Sequence, residues 1–336
     1  MPALISETPE AGAWIDEAKL ACAEIGAFGK IMPSVIWSDA VGLDGQMLVP
    51  IEPEALVADI RANSYPLLKG HDPGFPIGEI LDAAVFTNPR GTRFIAAILG
   101  CYSGVRLSFD ALAINPSPNA ESPSSLPDLP NSIWIDFGID PREVDSAWVD
   151  DVIRAAPIPV QRTTLAHNAA DQQSELIKVA VLFISLVWNP FVTTLATEAA
   201  KDVYAGIHNW LRSLLEKLAE RKNPIVELQS HHNGCQISFI FRGGDVKRNY
   251  AAHDSLPKAA SQAERLVVNI KEAGLDPKLI VYEFGQQDGL WFPSFVLLRD
   301  GRMITDNNAL IAVEQLPPGL SLGLVSGRDK PWVTGV

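Results

Sequence analysis

The stretch PLLKGHDPGFPIGEI, residues 66–80, carries the most specific chemical signal in the sequence. It places His71 beside Asp72, and two prolines and two glycines follow. A histidine fixed in this way can act as a general base, because its ring accepts a proton from a nearby hydroxyl. The same residues also suit a tight turn, since an aspartate before Pro-Gly bonds nearby backbone N–H groups. The residues alone leave two interpretations open: a catalytic histidine, or a turn that happens to contain one.

The other residues with chemical potential predict no metal or cofactor site. Gly-rich phosphate loops and a G-x-S-x-G elbow are absent from the sequence. His231 and His232 fall in the predicted turn HHNG without carboxylates at a recognisable spacing, so an exposed turn is favoured over metal binding. Cys22, Cys101 and Cys235 lie far apart and form no CxxC pair, which predicts no zinc site.

The surroundings of His71 contain further elements in a recognisable order. An acidic turn and a P-x-A-L-like element come first, then an apolar run that ends in HD, and then PIG. This order resembles the prohead (capsid-maturation) proteases of tailed phages, which are relatives of the herpesvirus assemblin proteases. The resemblance covers roughly residues 28–140 and is most specific around His71. The matching positions are Asp44, Pro53 to Leu56, His71-Asp72 and Pro76 to Gly78.

The resemblance implies a serine peptidase with His71 as its base. A serine hydroxyl becomes nucleophilic when a histidine accepts its proton, and a third group orients that imidazole. In the family the serine lies on a later strand, so Ser132 in NSIWIDFGI and Ser108 in RLSFDAL are the candidate nucleophiles. Asp136 and Glu143 are candidates for the third member. Such an enzyme would cleave a protein substrate through an acyl-enzyme, and it implies no metal or organic cofactor.

The sequence also departs from the family's pattern. Trp134 stands where the family has a small glycine, and its side chain would block the backbone donors that stabilise an oxyanion. A domain that keeps the family's fold without its activity is therefore an open alternative. The main rival is a non-enzymatic protein-interaction module or scaffold. The Pro- and Ser-rich segment 115–132 offers such a module a flexible recognition loop.

Composition and charge limit the classes of function. The 336 residues predict two domains, and 47% hydrophobic with 20% charged residues predict a sizeable core. The net charge of −13 argues against a general nucleic-acid binder, which needs a basic face. Widely spaced cysteines fit a reducing cytoplasm, and the N-terminus lacks the basic and apolar regions of a secretory signal. We therefore expect a cytoplasmic protein, and the resemblance adds a phage-related origin.

The first domain, residues 1–156, is predicted to be β-rich and barrel-like. Helical spacing of apolar residues predicts helices over 53–64 and 140–156. Residues 157–175 begin with prolines and continue with polar residues, which predicts a linker. Short runs bounded by Gly, Pro, Asp or Asn predict strands at 29–38, 46–51, 65–70, 77–87, 92–103 and 133–139.

The second domain, residues 176–336, is predicted to begin with a helical pair. The apolar run 176–188 predicts a buried helix. A membrane segment over 176–196 is the weaker alternative, because a span needs about 20 apolar residues. The second helix extends to about residue 222 with one apolar stripe, so core packing is favoured over cofactor binding for His208 and Trp210.

A smaller α+β part completes the second domain, so the whole chain is expected to belong to the α+β class. The hairpin around HHNG comes first, and "RDGR" marks a second hairpin turn. The apolar segment 316–324 can pack on its own domain or on a partner subunit, so an oligomer stays open. The helix is predicted at 254–274 and the strands at 224–230, 235–243, 278–284 and 291–305.

Overall fold

The structure is a computed structural model. It describes residues 2–25, 28–41, 47, 51–62, 65–69, 72–102, 106–116, 134–140, 143–164, 175–181, 198–285, 288–306 and 320–322. The helices are α1 (Pro2–Ser6), α2 (Pro9–Ala23), α3 (Pro53–Ala62), α4 (Ser146–Arg154), α5 (Glu198–Lys217) and α6 (Val246–Glu272). The strands are β1 (Lys30–Ser38), β2 (Tyr65–Lys69), β3 (Asp72–Thr87), β4 (Arg93–Cys101), β5 (Arg106–Leu107), β6 (Ile135–Ile139), β7 (Val160–Thr164), β8 (Glu175–Val181), β9 (Pro224–His232), β10 (Cys235–Arg242), β11 (Pro277–Phe284), β12 (Trp291–Leu298), β13 (Met303–Ile304) and β14 (Leu320–Leu322).

The smaller of the two sheets is antiparallel, in the order β1-β4-β3-β2-β14. Strand β4 lies in its interior, and successive side chains point to opposite faces. Phe94, Ala96 and Ile98 pack with α2, whereas Ile95 and Ala97 belong to the core that includes α3. Both faces of this strand are therefore buried, which explains its almost wholly apolar sequence.

The larger sheet has nine strands, in the order β5-β13-β12-β11-β10-β9-β8-β6-β7. Parallel neighbours are separated in the chain by a helix three times: α4 lies between β6 and β7, α5 between β8 and β9, and α6 between β10 and β11. The apolar residues of these helices form one core with one face of the sheet. Trp210 belongs to this core and donates a hydrogen bond to the carbonyl of Val152 at 2.9 Å, so the core role predicted for Trp210 is confirmed.

The α+β class is confirmed, but two features of the predicted architecture differ. The first sheet is open rather than barrel-like, because β1 and β14 are its end strands and do not pair with each other. The helix predicted over 176–188 is wrong for its first part, because residues 175–181 form β8 in the sheet interior. A strand buried on both faces is uniformly apolar, and its periodicity does not distinguish it from a buried helix.

The pairing of the strands also crosses the predicted division of the chain. β5, β6 and β7 come before residue 165 and pair into the larger sheet, whereas β14 near the C-terminus pairs with β2 of the smaller one. Sequence pattern shows where a strand lies but not which distant strand it joins. The hairpin around HHNG is confirmed, with the turn at Asn233 and Gly234 (φ 49° and 74°). His231 and His232 belong to β9 instead of the turn.

Candidate functional site at the junction of the two sheets

Strand β3 of the smaller sheet carries ion pairs to the larger sheet, and it begins at Asp72, the residue that follows the predicted catalytic histidine in the sequence. Lys69 pairs with Asp72 and Leu68 with Pro76, so three residues of β3 have no opposite residue in β2. Proline cannot donate to a ladder, which is why this part of the strand is irregular. Asp72 Oδ1 accepts a hydrogen bond from the Gly74 backbone N–H at 2.9 Å, as an aspartate before Pro-Gly is expected to do.

Arg242, the last residue of β10, binds the start of β3. Its Nη2 atom lies 2.8 Å from Asp72 Oδ1 and 2.7 Å from Glu283 Oε1 of β11, and Nη1 binds the other oxygen of Asp72. Its guanidinium carbon lies 5.7 Å from the ring centroid of Phe75. Burial lowers the pKa of Arg242, but the hydrogen bonds and charges of the two carboxylates outweigh it and raise that pKa above its ordinary value.

Gly74 allows the backbone of β3 to approach this ion cluster. A Cβ atom at this position would lie 2.3 Å from Arg242 Nη2 and 2.3 Å from Glu283 Oε1. Real side chains do not tolerate such distances, so any other residue would push the guanidinium and the carboxylate away. The glycine of the HDPG stretch is therefore explained by close packing against a charge pair.

Arg248 in the first turn of α6 binds the backbone at the ends of the two strands that carry Arg242 and Glu283. Its Nη1 donates to the carbonyl of Arg242 at 3.0 Å and its Nη2 to the carbonyl of Phe284 at 2.9 Å. Asp245 caps α6 by accepting from the Arg248 N–H at 3.1 Å. The carboxyl ends of β10 and β11 are thereby tied to the start of the helix, which gives the site a rigid base.

A second ion pair secures the other end of the junction. Lys278 Nζ lies 2.7 Å from Glu79 Oε1, and the Tyr102 hydroxyl donates to Glu79 Oε2 at 3.1 Å. Burial, the charge of Glu79 and this hydrogen bond raise the pKa of Tyr102 well above its usual value. An apolar cluster that includes Val281 and Phe295 lies in the same junction. The two sheets are thus held by packing that has a charge pair at each end.

An exposed apolar pair adjoins the ion cluster. Phe292 and Leu290 at the start of β12 have exposed fractions of 36% and 37%. Phe292 pairs in register with Glu283, and Gly285 packs so closely on its ring that a Cβ atom there would lie 2.9 Å from Phe292 Cε2. We use the name junction patch for the set that these residues form with the ion cluster: Asp72, Phe75, Arg242, Glu283, Leu290 and Phe292.

The residues predicted to form the catalytic site are placed as follows. His71 and Ser132 lie outside the described residues, so their pairing stays a prediction. Ser108 follows β5, and its Oγ accepts from the Ala111 N–H at 3.0 Å. Three strand spacings, about 14 Å, separate β5 from β11 and the ion cluster.

The two candidates for the third catalytic group lie elsewhere in the larger sheet. Asp136 on β6 accepts from Trp134 Nε1 at 3.1 Å. Glu143 Oε2 accepts from the Leu176 N–H at 3.4 Å. Because β5 and β6 stand near opposite ends of the strand order, the fold does not bring Ser108 together with Asp136.

Sequence reasoning also missed a buried polar strip on β8, β9 and β10. Glu227 accepts hydrogen bonds from Ser238 at 2.8 Å and from Gln229 at 2.6 Å, and Lys178 Nζ lies 3.3 Å from its other oxygen. The signal was present as alternation, since polar residues occupy every second position in ELQ and QIS. Glu227 Oε1 accepts both hydrogen bonds, whereas the buried Oε2 has no hydrogen-bond donor among the described residues and faces Lys178 as an ion pair. The strip is a structural network that links three strands.

Metal-binding clusters, membrane-spanning helices and similarity to known proteins all bear on what the chain can do. Within the described ranges, no cluster of three or more His, Cys, Asp or Glu side chains is arranged to hold a metal ion. In the same part of the chain, no helix combines the length and the apolar character that crossing a membrane requires. Comparison with protein-family models, curated proteins and solved structures found no match.

Proposed function

We propose that the protein is a non-enzymatic interaction module that binds a protein partner through the junction patch. The observation that carries this proposal is the exposed pair Phe292 and Leu290 beside a guanidinium that is fixed by two carboxylates. Aromatic and arginine side chains are enriched in the centres of protein interfaces. A patch whose charged groups are already held by internal bonds loses little side-chain freedom on binding, which favours affinity.

The charges of the patch define the partner's chemistry. Arg242 directs its hydrogen bonds to Asp72 and Glu283, so the patch presents two carboxylates for one guanidinium. The chain as a whole carries a net charge of −13. A complementary surface therefore has an apolar pocket for Phe292 with a basic group at its rim, and long-range attraction speeds its approach.

The test is cross-linking and co-purification with matched surface variants. The wild type is expected to recover one stable protein partner, and Phe292→Ala is expected to lose it. Val268→Ala is the control, because Val268 is also an exposed apolar residue, at 42%, but lies on α6 outside the patch. If Phe292→Ala recovers the same partner in unchanged amount, the junction patch is not the binding surface.

A second candidate function is the serine peptidase that the resemblance to prohead proteases implies. One observation favours it: Asp72, which follows His71 in the sequence, is anchored by Arg242 within the junction patch. His71 would be the base and Ser132 or Ser108 the nucleophile. A fluorophosphonate probe is expected to label the wild type and to lose its label in His71→Ala and in one of the two Ser→Ala variants. An unlabelled wild type would end this candidate.

We also propose a cytoplasmic location. Cys22, Cys101 and Cys235 are all buried free thiols, which is the usual state of cysteine in a reducing compartment. Fractionation of cells that express the chain tests this, and recovery in a secreted fraction would contradict it.

A further inference from the structure

Two buried histidines meet between α5 and α6. The rings of His208 and His253 make an edge contact, with centroids 4.8 Å apart and planes at 73°. Their exposed fractions are 8% and 2%. The Nε2 atom of His253 is buried without a hydrogen-bond partner among the described residues. Two imidazoles packed in this way are stable while neutral, because a proton on either ring places a charge inside the helix interface.

The pair lies one turn before an interruption in the hydrogen-bond ladder of α6. Pro257 interrupts the helix four residues after His253, so the His253 carbonyl loses its usual helical donor. The neighbouring carbonyl of Ala252 accepts a hydrogen bond from Trp291 Nε1 of β12 at 2.9 Å. A helix bends or opens at such an interruption more easily than elsewhere along its length.

The groups that face His253 do not compensate a proton on it. On α6, Asp254 Oδ1 lies 3.4 Å from His253 Nδ1, but this carboxylate is 57% exposed. The same carboxylate pairs with Arg212 of α5 at 3.5 Å, so its charge is already shared. From β12, the uncharged Trp291 binds the carbonyl of Ala252, the residue before His253.

The remaining charged groups of this helix pair lie further out. Arg212 stands over the ring of Tyr250, and the Tyr250 hydroxyl donates to Glu216 of α5. Burial and the charge of His208, with a smaller effect of Arg212, outweigh Asp254 and lower the pKa of His253 to about 4. The packed arrangement of the two rings therefore disfavours protonation of His253.

Trp291 connects the helix pair with the junction patch. Its indole packs edge-on against Phe239, Phe241 and Phe284 on the helix side of the sheet. Its chain neighbours are Leu290 and Phe292, the exposed residues of the patch. A change in the position of Ala252 therefore acts on the strand that presents the patch.

We propose that the His208–His253 pair is a pH-sensitive element that loosens α6 at Pro257 on acidification and, through Trp291, changes the junction patch. The effect on the patch rests on the proposed binding function, whereas the loosening of α6 does not. The physical cause is that the closed arrangement excludes a proton that the opened arrangement accepts, so acid favours opening by linkage.

The loosening is measured by hydrogen exchange of the α6 amides at pH 7.5 and pH 5.0, corrected for intrinsic exchange rates. With a pKa of about 4 in the closed state and 6.5 in the opened one, the opening constant rises about 30-fold between these pH values. His253→Gln is expected to abolish most of this rise, whereas His208→Gln is expected to reduce it in part, because burial, the largest cause of the lowered pKa of His253, remains. Each variant is compared with itself at two pH values, so a lowered stability does not obscure the result.

His232→Gln is the matched control for position along α6: His232 Nδ1 lies 3.9 Å from Glu264 Oε1 of this helix, and burial lowers the pKa of His232. Its loss is expected to change exchange near Glu264 only and to leave the rise at the amides beside Pro257 intact. A wild type that opens equally at both pH values, or a His253→Gln variant that keeps the rise, overturns the proposal. Capture of the partner at both pH values gives the second readout. If α6 of the wild type opens at pH 5.0 but the partner is captured equally at both pH values, the link between α6 and the junction patch is overturned. If the wild type captures no partner at either pH value, the result counts against the proposed binding function and not against the loosening of α6.

Discussion

Removal of Arg242 is expected to weaken the junction of the sheets more than any exposed ion pair could. Arg242→Met loses three charge-assisted hydrogen bonds to Asp72 and Glu283 and leaves two carboxylates facing each other. Breaking a buried pair from one side costs 3–5 kcal/mol, and charged hydrogen bonds contribute about 1.5–3 kcal/mol each. The cluster is partly exposed and its bonds share one guanidinium, so we expect a loss of about 3 kcal/mol.

Urea unfolding of wild type and variant measures this loss. Arg154→Met is the control, because its pair with Asp151 has side chains 75% and 59% exposed and is expected to contribute about 0.5 kcal/mol or less. Equal losses for Arg242→Met and Arg154→Met would refute the view that the cluster holds the sheets together.

Three further predictions concern the same structure. Gly74→Ala is expected to destabilise by about 2 kcal/mol in urea unfolding, because its Cβ meets the ion cluster, whereas Gly12→Ala in α2 has open space and should be neutral or stabilising. Lys278→Met leaves the buried Glu79 carboxylate without its counter-charge, with only the Tyr102 hydroxyl still bound, and should cost about 3 kcal/mol by the same assay; no change would show that the ion pair adds nothing. As the pH falls from 6.5 to about 4, the free energy of unfolding should decrease by up to about 3 kcal/mol. The reason is that folding lowers the pKa of His253 to about 4, so its contribution to stability is present above the unfolded pKa of 6.5 and is lost on acidification. A pH titration in which His253→Gln keeps that fall would contradict it.

Local pattern was sufficient to predict several elements from the sequence. Apolar residues at helical spacing predicted the helix at 53–64, which the structure has at Pro53–Ala62. The turn chemistry of Asn233-Gly234 and the flanking runs predicted the hairpin. The Asx turn at Asp72 followed from its position before Pro-Gly. Each of these depends on residues close together in the chain, where side-chain chemistry acts directly.

The candidate site could not be predicted because its parts come from distant segments. Asp72 and Arg242 are 170 positions apart, and nothing in either neighbourhood indicates the other. Arg242 alone has the features of an ordinary strand-end cation, and Glu283 those of a solvated carboxylate. Strand order decides that they meet, and strand order follows from three-dimensional packing of the whole chain.

The affinity of the recovered partner for purified wild type and variants is the most direct measurement of the proposed binding role. Phe292→Ala should weaken binding at least 10-fold, which corresponds to about 1.4 kcal/mol for the loss of one aromatic anchor. Val268→Ala should stay within about two-fold of the wild type. An affinity that is the same for Phe292→Ala and the wild type would contradict the assignment of the junction patch as the binding surface.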